Sequence, residues 1–191
     1  MVTSWILLGM PGSGKSSIGR SLAARTGRAF LDTDVLIEQR FGRRISEIFR
    51  VYGEGAFRDH ETSVLRALGA SDAVLATGGG IVSREENWSQ MRRIGITAFL
   101  DVDAQELARR LESGRRKRPL LADDDWQDRL GALCRDRREA YLQADLRLVR
   151  GGLDLEGCVD LALREFQAAE RLRSERAPKD GSAPLNPADV G

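Results

Sequence analysis

The most informative part of this sequence is Gly9-Met10-Pro11-Gly12-Ser13-Gly14-Lys15-Ser16. It follows the apolar run Trp5–Leu8 and precedes a helix-like stretch from Ser17 to Arg25. A strand, a glycine-rich turn, Lys-Ser and a helix, in this order, form the context of a phosphate-binding loop. Glycines let the backbone curl so that successive N–H groups face a phosphate, and the helix N-terminus adds partial positive charge. The alternative is a glycine-rich turn that binds nothing.

The loop predicts a nucleotide site with a bound metal ion. Lys15 would reach the β- and γ-phosphates of ATP, and the Ser16 hydroxyl would ligate Mg²⁺. The residues expected to contact the phosphates are Gly12, Ser13, Gly14, Lys15, Ser16 and Ser17.

The bulk composition indicates an ordinary globular protein. Thirty lysines and arginines nearly cancel 29 aspartates and glutamates in the 191 residues, so the charge balance favours neither nucleic acid nor an anionic membrane as a partner. No apolar run approaches the length of a membrane-spanning helix, and no signal segment precedes the first strand. Cys134 and Cys158 match no metal-ligand spacing, and they favour a reducing compartment. We expect a cytoplasmic monomer.

Short apolar runs alternate with helical stretches along the chain. The predicted strands are Ser4–Leu8, Ala29–Asp32, Ala73–Thr77, Ile96–Val102 and Leu146–Val149. The predicted helices are Lys15–Thr26, Asp34–Phe41, Gly55–Leu68, Arg84–Arg93, Ala104–Ser113, Trp126–Ala144 and Leu155–Leu172. This alternation predicts a three-layer α/β fold with a five-stranded parallel sheet. Ligands of such sheets bind beyond the carboxyl ends of the strands.

Two segments interrupt the alternation. The segment from Gly114 to Asp125 begins basic, passes through Pro119 and ends acidic. It predicts a mobile lid near a charged ligand, or else a solvated connection. Residues 173–191 are rich in proline and polar residues towards their end, and we expect a disordered tail. The predicted domain therefore spans residues 1–172.

Two carboxylates stand near the end of the second predicted strand. Asp32 and Asp34 are two positions apart, so their side chains share a face while the strand persists. Such a pair suits a magnesium shell and the activation of an attacking hydroxyl. Alternatively, Asp34 caps a helix that begins at Val35.

The next two predicted strands also end in candidate ligand groups. Thr77 is followed by three glycines, Gly78 to Gly80, which offer N–H donors and room for a ligand, although they could form only a flexible turn. The run ending in Asp101 resembles a second nucleotide-binding motif, and Asp103 suits the N-cap of the following helix.

A helix from Gly55 presents one arginine suited to an anionic substrate. Arg58 could bind a carboxylate with both guanidinium prongs, and Glu61 lies three residues further on to orient it. The alternative is a solvated ion pair. His60, the only histidine, has no neighbouring metal-ligand pattern, and we interpret it as structural or exposed.

Taken together, these segments resemble the shikimate kinase family, from about Ser4 to Phe166. The resemblance rests on the phosphate loop, on Leu31-Asp32-Thr33-Asp34, on Gly53-Glu54 through Phe57-Arg58 and Glu61, on Thr77-Gly78-Gly79-Gly80, and on Lys117-Arg118-Pro119-Leu120-Leu121. It implies a phosphate-loop fold like that of the nucleoside-monophosphate kinases. It also implies ATP-dependent phosphorylation of the 3-hydroxyl of shikimate.

The resemblance assigns roles to single residues. Lys15, Asp34 and the lid residue Arg118 are implied to be catalytic, and Ser16 and Asp32 to hold Mg²⁺. The residues implied to bind shikimate are Asp34, Arg58, Gly79, Gly80 and Arg137. Those implied to bind ATP outside the loop are Arg110 and Arg118. The family usually has a proline two residues after the arginine that corresponds to Arg137, whereas this chain has Glu139.

Two other functions stay open at this point. A gluconate-type kinase on the same scaffold also binds a hydroxy acid. A non-catalytic sensor with a kinase-like fold would bind the ligands without turnover.

Overall fold

The computed structural model describes residues 3–112 and 125–176. Its strands are β1 (Ser4–Leu8), β2 (Ala29–Asp32), β3 (Ala73–Ala76), β4 (Gly95–Asp101) and β5 (Leu146–Val149). Its helices are α1 (Lys15–Thr26), α2 (Thr33–Phe41), α3 (Ile45–Ala67), α4 (Glu85–Ile94), α5 (Ala104–Leu111), α6 (Trp126–Tyr141) and α7 (Leu155–Arg176), with a 3₁₀ turn at Ile81–Ser83.

The strands of the described part form one parallel sheet in the order β2-β3-β1-β4-β5. This confirms the predicted α/β fold with a five-stranded parallel sheet. Because all the strands point the same way, their carboxyl ends meet along one edge. That edge carries the phosphate loop after β1, Asp32 at the end of β2 and, after β3, the three residues Gly78 to Gly80, which we call the glycine turn.

Side chains of β1 alternate between two cores, one on each face of the sheet. Ile6 and Leu8 pack with residues of α4, α5 and α6, including the fully buried Trp88. Trp5 and Leu7 pack with residues of α1 and α7, including Phe166. A strand that is buried on both faces is typical of a parallel sheet in a three-layer fold.

Helix α3 begins ten residues earlier than its predicted start at Gly55. Ile45, Ile48 and Phe49 lie against the small core between α2 and α3, and their spacing is the sequence signal that could have found this half. Gly53 interrupts the helix with φ +78° and ψ 173°, a backbone conformation that favours glycine. The break explains why the sequence pattern predicts only the second half.

Two other helix ends differ from prediction by three residues or more, and the remaining ends by at most two. Helix α6 ends at Tyr141 rather than Ala144, because Asp145 instead accepts hydrogen bonds from the backbone and side chain of Thr97, each at 2.8 Å. Helix α7 continues past Leu172 to Arg176, as expected for a stretch without glycine or proline. The rest of the predicted tail lies outside the described residues. Within the described ranges, no helix is long and apolar enough to cross a membrane.

Candidate active site

The phosphate loop connects β1 to α1 in the predicted conformation. Gly12 and Gly14 have φ values of +82° and +100°, which side chains other than glycine rarely adopt. Gly14 is the N-cap of α1, so the positive end of this helix faces the loop. Ser13 is fully buried and Ser17 is exposed.

Lys15 is folded back onto its own loop. Its ammonium group donates to the backbone carbonyls of Gly9 at 2.8 Å and Met10 at 3.0 Å, and the residue is only 8% exposed. From the sequence alone, a lysine that serves the phosphates of a nucleotide is expected to be exposed, whereas Lys15 is buried. Two carbonyls of the loop thus hold the ammonium group in place.

Ser16 and Asp32 lie side by side. The Ser16 hydroxyl donates to Asp32 Oδ2 at 2.8 Å, while Asp32 Oδ1 accepts the backbone N–H of Asp34 at 3.1 Å. Asp32 is therefore the N-cap of α2, which begins at Thr33. The alternative that Asp34 caps a helix starting at Val35 is wrong, and its carboxylate is not used for capping.

Asp34 and Glu61 face the glycine turn from α2 and α3. A Cβ added to Gly78 would lie 2.8 Å from Asp34 Oδ1 and 2.6 Å from Glu61 Oε1. Glu61 is fully buried, and its Oε1 atom accepts no hydrogen bond from the described residues. Two carboxylate oxygens thus converge where only a glycine fits.

Arg58 is a buried ion-pair partner, not a solvated one. It is 7% exposed and donates to Glu61 Oε2 at 2.5 Å and to Glu54 Oε1 at 2.8 Å. A Cβ on Gly80 would lie within 2.3 Å of three atoms of this guanidinium group. The two carboxylates therefore hold the planar group flat against Gly80.

Arg137 is the arginine of α6 that faces the glycine turn. Its Nη1 atom donates to the carbonyl of Gly79 at 3.1 Å, whereas Arg138 pairs with Asp101 at 3.3 Å. The rotation of α6 is set by its buried stripe, Trp126, Leu130 and Tyr141, and Arg137 continues that stripe at helical spacing. Glu139 is exposed and does not interrupt the helix.

Two further arginines flank the phosphate loop. Arg110 pairs with Glu106 at 2.7 Å and also donates to the carbonyl of Gly12 at 3.5 Å. Arg150, which the sequence reasoning missed, lies with Nη1 3.5 Å from the Cβ position of Gly14. Its place directly after β5 was the available signal. The predicted lid as far as residue 124, with its Arg118, lies outside the described residues.

Asp101, at the end of the run that resembles a second nucleotide-binding motif, is an ion-pair partner of two arginines. Its carboxylate accepts from Arg147 at 2.7 Å as well as from Arg138. Asp103 is the N-cap of α5, since it accepts the N–H of Gln105 at 2.8 Å. The prediction that Asp103 is the N-cap of the following helix is confirmed.

Burial raises the pKa of Glu61 to about 7, although Arg58 opposes the shift. The Asp34 carboxylate raises this pKa further, and Arg137 lowers it. The folded chain thus binds this proton more tightly than the unfolded chain does. The stability contribution is complete below the unfolded pKa and is lost as the pH rises towards about 7.

We therefore expect the urea midpoint of the wild type to fall between pH 5 and pH 8, and Glu61→Gln to flatten this fall. The two proteins are compared by the slope of the urea midpoint against pH and not by the midpoint itself. Removing the charge of Glu61 also weakens its pairing with Arg58, which lowers the midpoint at every pH. Glu85→Gln is the matched control, since the Glu85 side chain is 75% exposed and should leave the slope unchanged. Equal slopes for the wild type and Glu61→Gln would contradict the shift.

Several kinase families share this fold, and the similarity of the chain to known proteins distinguishes among them. The shikimate kinase family model matches residues 11–163. The chain belongs to the shikimate kinase family. A shikimate kinase of Gloeobacter violaceus is 45% identical over 176 residues, covering 92% of this chain and 97% of the relative. The shikimate kinase of Acinetobacter baumannii, solved in complex with shikimate, superposes with a TM-score of 0.80 at 31% identity and covers 93% of this chain and 96% of that one.

The fold is shared more widely than the family. A gluconokinase from Sinorhizobium meliloti superposes with a TM-score of 0.53 at 18% identity, covering 91% of this chain and 97% of that one. This likeness shows the fold alone. The gluconate-type alternative is therefore not favoured over membership of the shikimate kinase family.

Proposed function

We propose that this chain transfers the γ-phosphoryl group of ATP to the 3-hydroxyl of shikimate, giving shikimate 3-phosphate and ADP. The observation that carries this proposal is the meeting of two sites at one sheet edge. The phosphate loop supplies Lys15 at the start of α1, and Pro11 of the same loop lies against Gly79, whose added Cβ would be 2.7 Å from Pro11 Cδ. The buried Arg58 lies at the other side of the glycine turn. A phosphate donor and a carboxylate-bearing acceptor would thus be neighbours.

The donor set beside the loop fits Mg²⁺. The hydroxyl of Ser16 and a carboxylate oxygen of Asp32 are 2.8 Å apart, and hard oxygen donors are what this ion prefers. The described residues hold no cluster of three or more acidic, histidine or cysteine side chains at ligand spacing. None is required, because Mg²⁺ in kinases is bound by one or two protein groups together with phosphate oxygens and water. When bound, the ion would neutralise phosphate charge.

Each remaining residue would assist phosphoryl transfer by positioning a substrate or by neutralising charge on the phosphates. Lys15 would exchange the two loop carbonyls for phosphate oxygens, and Arg118 of the lid would add a second positive charge there. Asp34 would accept a hydrogen bond from the 3-hydroxyl and receive its proton. Arg110 would contact the adenine. A cytoplasmic location and a monomeric state stay predictions.

The carboxylate of shikimate would be held by two arginines from different helices. Arg58 is pre-oriented by Glu54 and Glu61, and Arg137 approaches Gly79 from α6. Two planar guanidinium groups select a carboxylate over a neutral polyol.

A coupled ADP-release assay with shikimate, quinate and gluconate tests the proposed function. We expect ADP release with shikimate, and Lys15→Ala provides the control for contaminating kinases. Release with gluconate and none with shikimate would overturn the substrate assignment. No release with any of the three would favour the sensor alternative.

Arg58→Lys is expected to raise KM for shikimate by about 10- to 100-fold, because lysine cannot reproduce charged, two-pronged contacts with a carboxylate. KM for ATP should stay nearly unchanged, and kcat should change less than KM, since the carboxylate is bound alike in the ground and transition states. Arg40→Lys is the matched control, because Arg40 is exposed on the neighbouring α2. An unchanged KM for shikimate would remove Arg58 from the substrate site.

A further inference from the structure

The carbonyl of Gly79 accepts two hydrogen bonds from the same helix. Tyr141 Oη donates at 2.5 Å and Arg137 Nη1 donates at 3.1 Å. The two donors are four residues apart in α6, so they lie one above the other on the face of the helix that meets the glycine turn. One carbonyl thus has a neutral donor and a charged donor.

The side chain of Tyr141 is held more firmly than that of Arg137. It is 1% exposed, and its ring stacks on Phe99 of β4 with centroids 4.8 Å apart and planes 3° apart. Burial raises the pKa of its hydroxyl above the ordinary value, so the group stays protonated and remains a donor. Arg137 is only partly buried and has a long side chain, which makes it the donor that can leave.

The glycine turn itself has little room to adjust. The Cβ positions of Gly79 and Gly80 are occupied by the ring of Pro11 and by the guanidinium group of Arg58. The carbonyl of Gly79 therefore cannot rotate freely towards water when a hydrogen bond is lost. Gly79 is partly buried, so its carbonyl bears a desolvation cost when it loses every donor.

We propose that Tyr141 is a positioning residue for substrate binding, acting through Gly79 and Arg137. In the described structure Arg137 donates to the carbonyl of Gly79, and when the substrate binds Arg137 exchanges this carbonyl for the carboxylate of the substrate. Tyr141 remains on the carbonyl throughout, so the exchange leaves no bare acceptor. The inference rests on the proposed function, because it assigns the carboxylate of shikimate to Arg137.

Tyr141→Phe tests this inference, since phenylalanine keeps the ring and its stacking but removes the donor. We expect KM for shikimate to rise about 10-fold, with kcat and KM for ATP nearly unchanged. Tyr52→Phe is the matched control, because Tyr52 is the only other tyrosine and is 56% exposed. A loss of stability without a rise in KM for shikimate would show a merely structural role and overturn the proposal.

A double-mutant cycle with Arg137→Ala separates positioning from general damage. In the Arg137→Ala background no arginine moves from the carbonyl of Gly79 to the substrate. Adding Tyr141→Phe then leaves this carbonyl without a donor both before and after the substrate binds. The rise in KM caused by Tyr141→Phe should therefore disappear in the Arg137→Ala background. An equal rise in both backgrounds would overturn the exchange.

A measurement on the wild type keeps the proposal open to refutation if Tyr141→Phe does not fold. Exchange of the Tyr141 hydroxyl proton with water, followed by NMR, should be slow with and without saturating shikimate. Faster exchange in the complex would mean that Tyr141 leaves the carbonyl, contrary to the proposal. If the wild type neither binds nor phosphorylates shikimate, the proposed function fails together with this inference. If the wild type is active and Tyr141→Phe has an unchanged KM for shikimate, this inference alone is refuted.

Discussion

Lys15→Ala is expected to lower kcat by about 10³-fold, because loss of a preorganised cation at the developing charge of a phosphoryl transfer removes electrostatic stabilisation of the transition state. The same change should also lower the free energy of unfolding by about 1–3 kcal/mol, since the carbonyls of Gly9 and Met10 lose the donor that now binds them. Steady-state kinetics and urea unfolding measure the two effects separately.

The control for this variant is Arg20→Ala. Arg20 lies on the exposed side of α1 over the ring of Phe30, so its removal takes a cation from the same helix without touching the loop. Near-normal turnover of Lys15→Ala would contradict the phosphate-loop mechanism. Unchanged stability would contradict the hydrogen bonds of Lys15 with the carbonyls of Gly9 and Met10.

Asp34→Asn is expected to reduce kcat by about 10²- to 10⁴-fold, the range of a lost general base. Asparagine keeps the size of the side chain but cannot take up the proton of the hydroxyl. Binding of ATP should be largely kept, because asparagine has the size of aspartate and the residues of the phosphate loop are unchanged in this variant. Nucleotide titration and the coupled assay check the two statements.

Asp103→Asn is the matched control, because Asp103 is a true N-cap, at α5, and asparagine is an equally good cap. This variant should keep both its stability and its turnover. If Asp34→Asn kept its turnover as well, Asp34 would have no role in proton transfer, although the structure already excludes a capping role.

The phosphate loop and the order of strands and helices could be predicted because they depend on neighbouring residues. A glycine-rich turn between an apolar strand and a helix has few other solutions, and apolar runs of strand length fit a sheet that is covered on both faces. The first half of α3 escaped prediction because the backbone break at Gly53 separates it from the more regular second half.

The adjacent arginines of α6 show where sequence reasoning stops. Successive residues of a helix point about 100° apart, so the sequence does not say whether Arg137 or Arg138 faces the site. Burial of Trp126, Leu130 and Tyr141 against the sheet sets the rotation of the helix. Only then does Arg137 reach Gly79 while Arg138 turns to Asp101.

The phosphate loop, the α/β class and the residues with suitable chemistry could be read from the chain alone, because each is a property of a short stretch of sequence. The packing of the folded chain was needed to show that Asp34, Glu61, Arg58 and Arg137 converge on the turn from Gly78 to Gly80. These groups come from three helices, of which α2 and α3 are neighbours in the chain whereas α6 is far from both. Their distances and burial, and hence the raised pKa of Glu61 and the resting position of Arg137, follow from how those helices pack on the sheet.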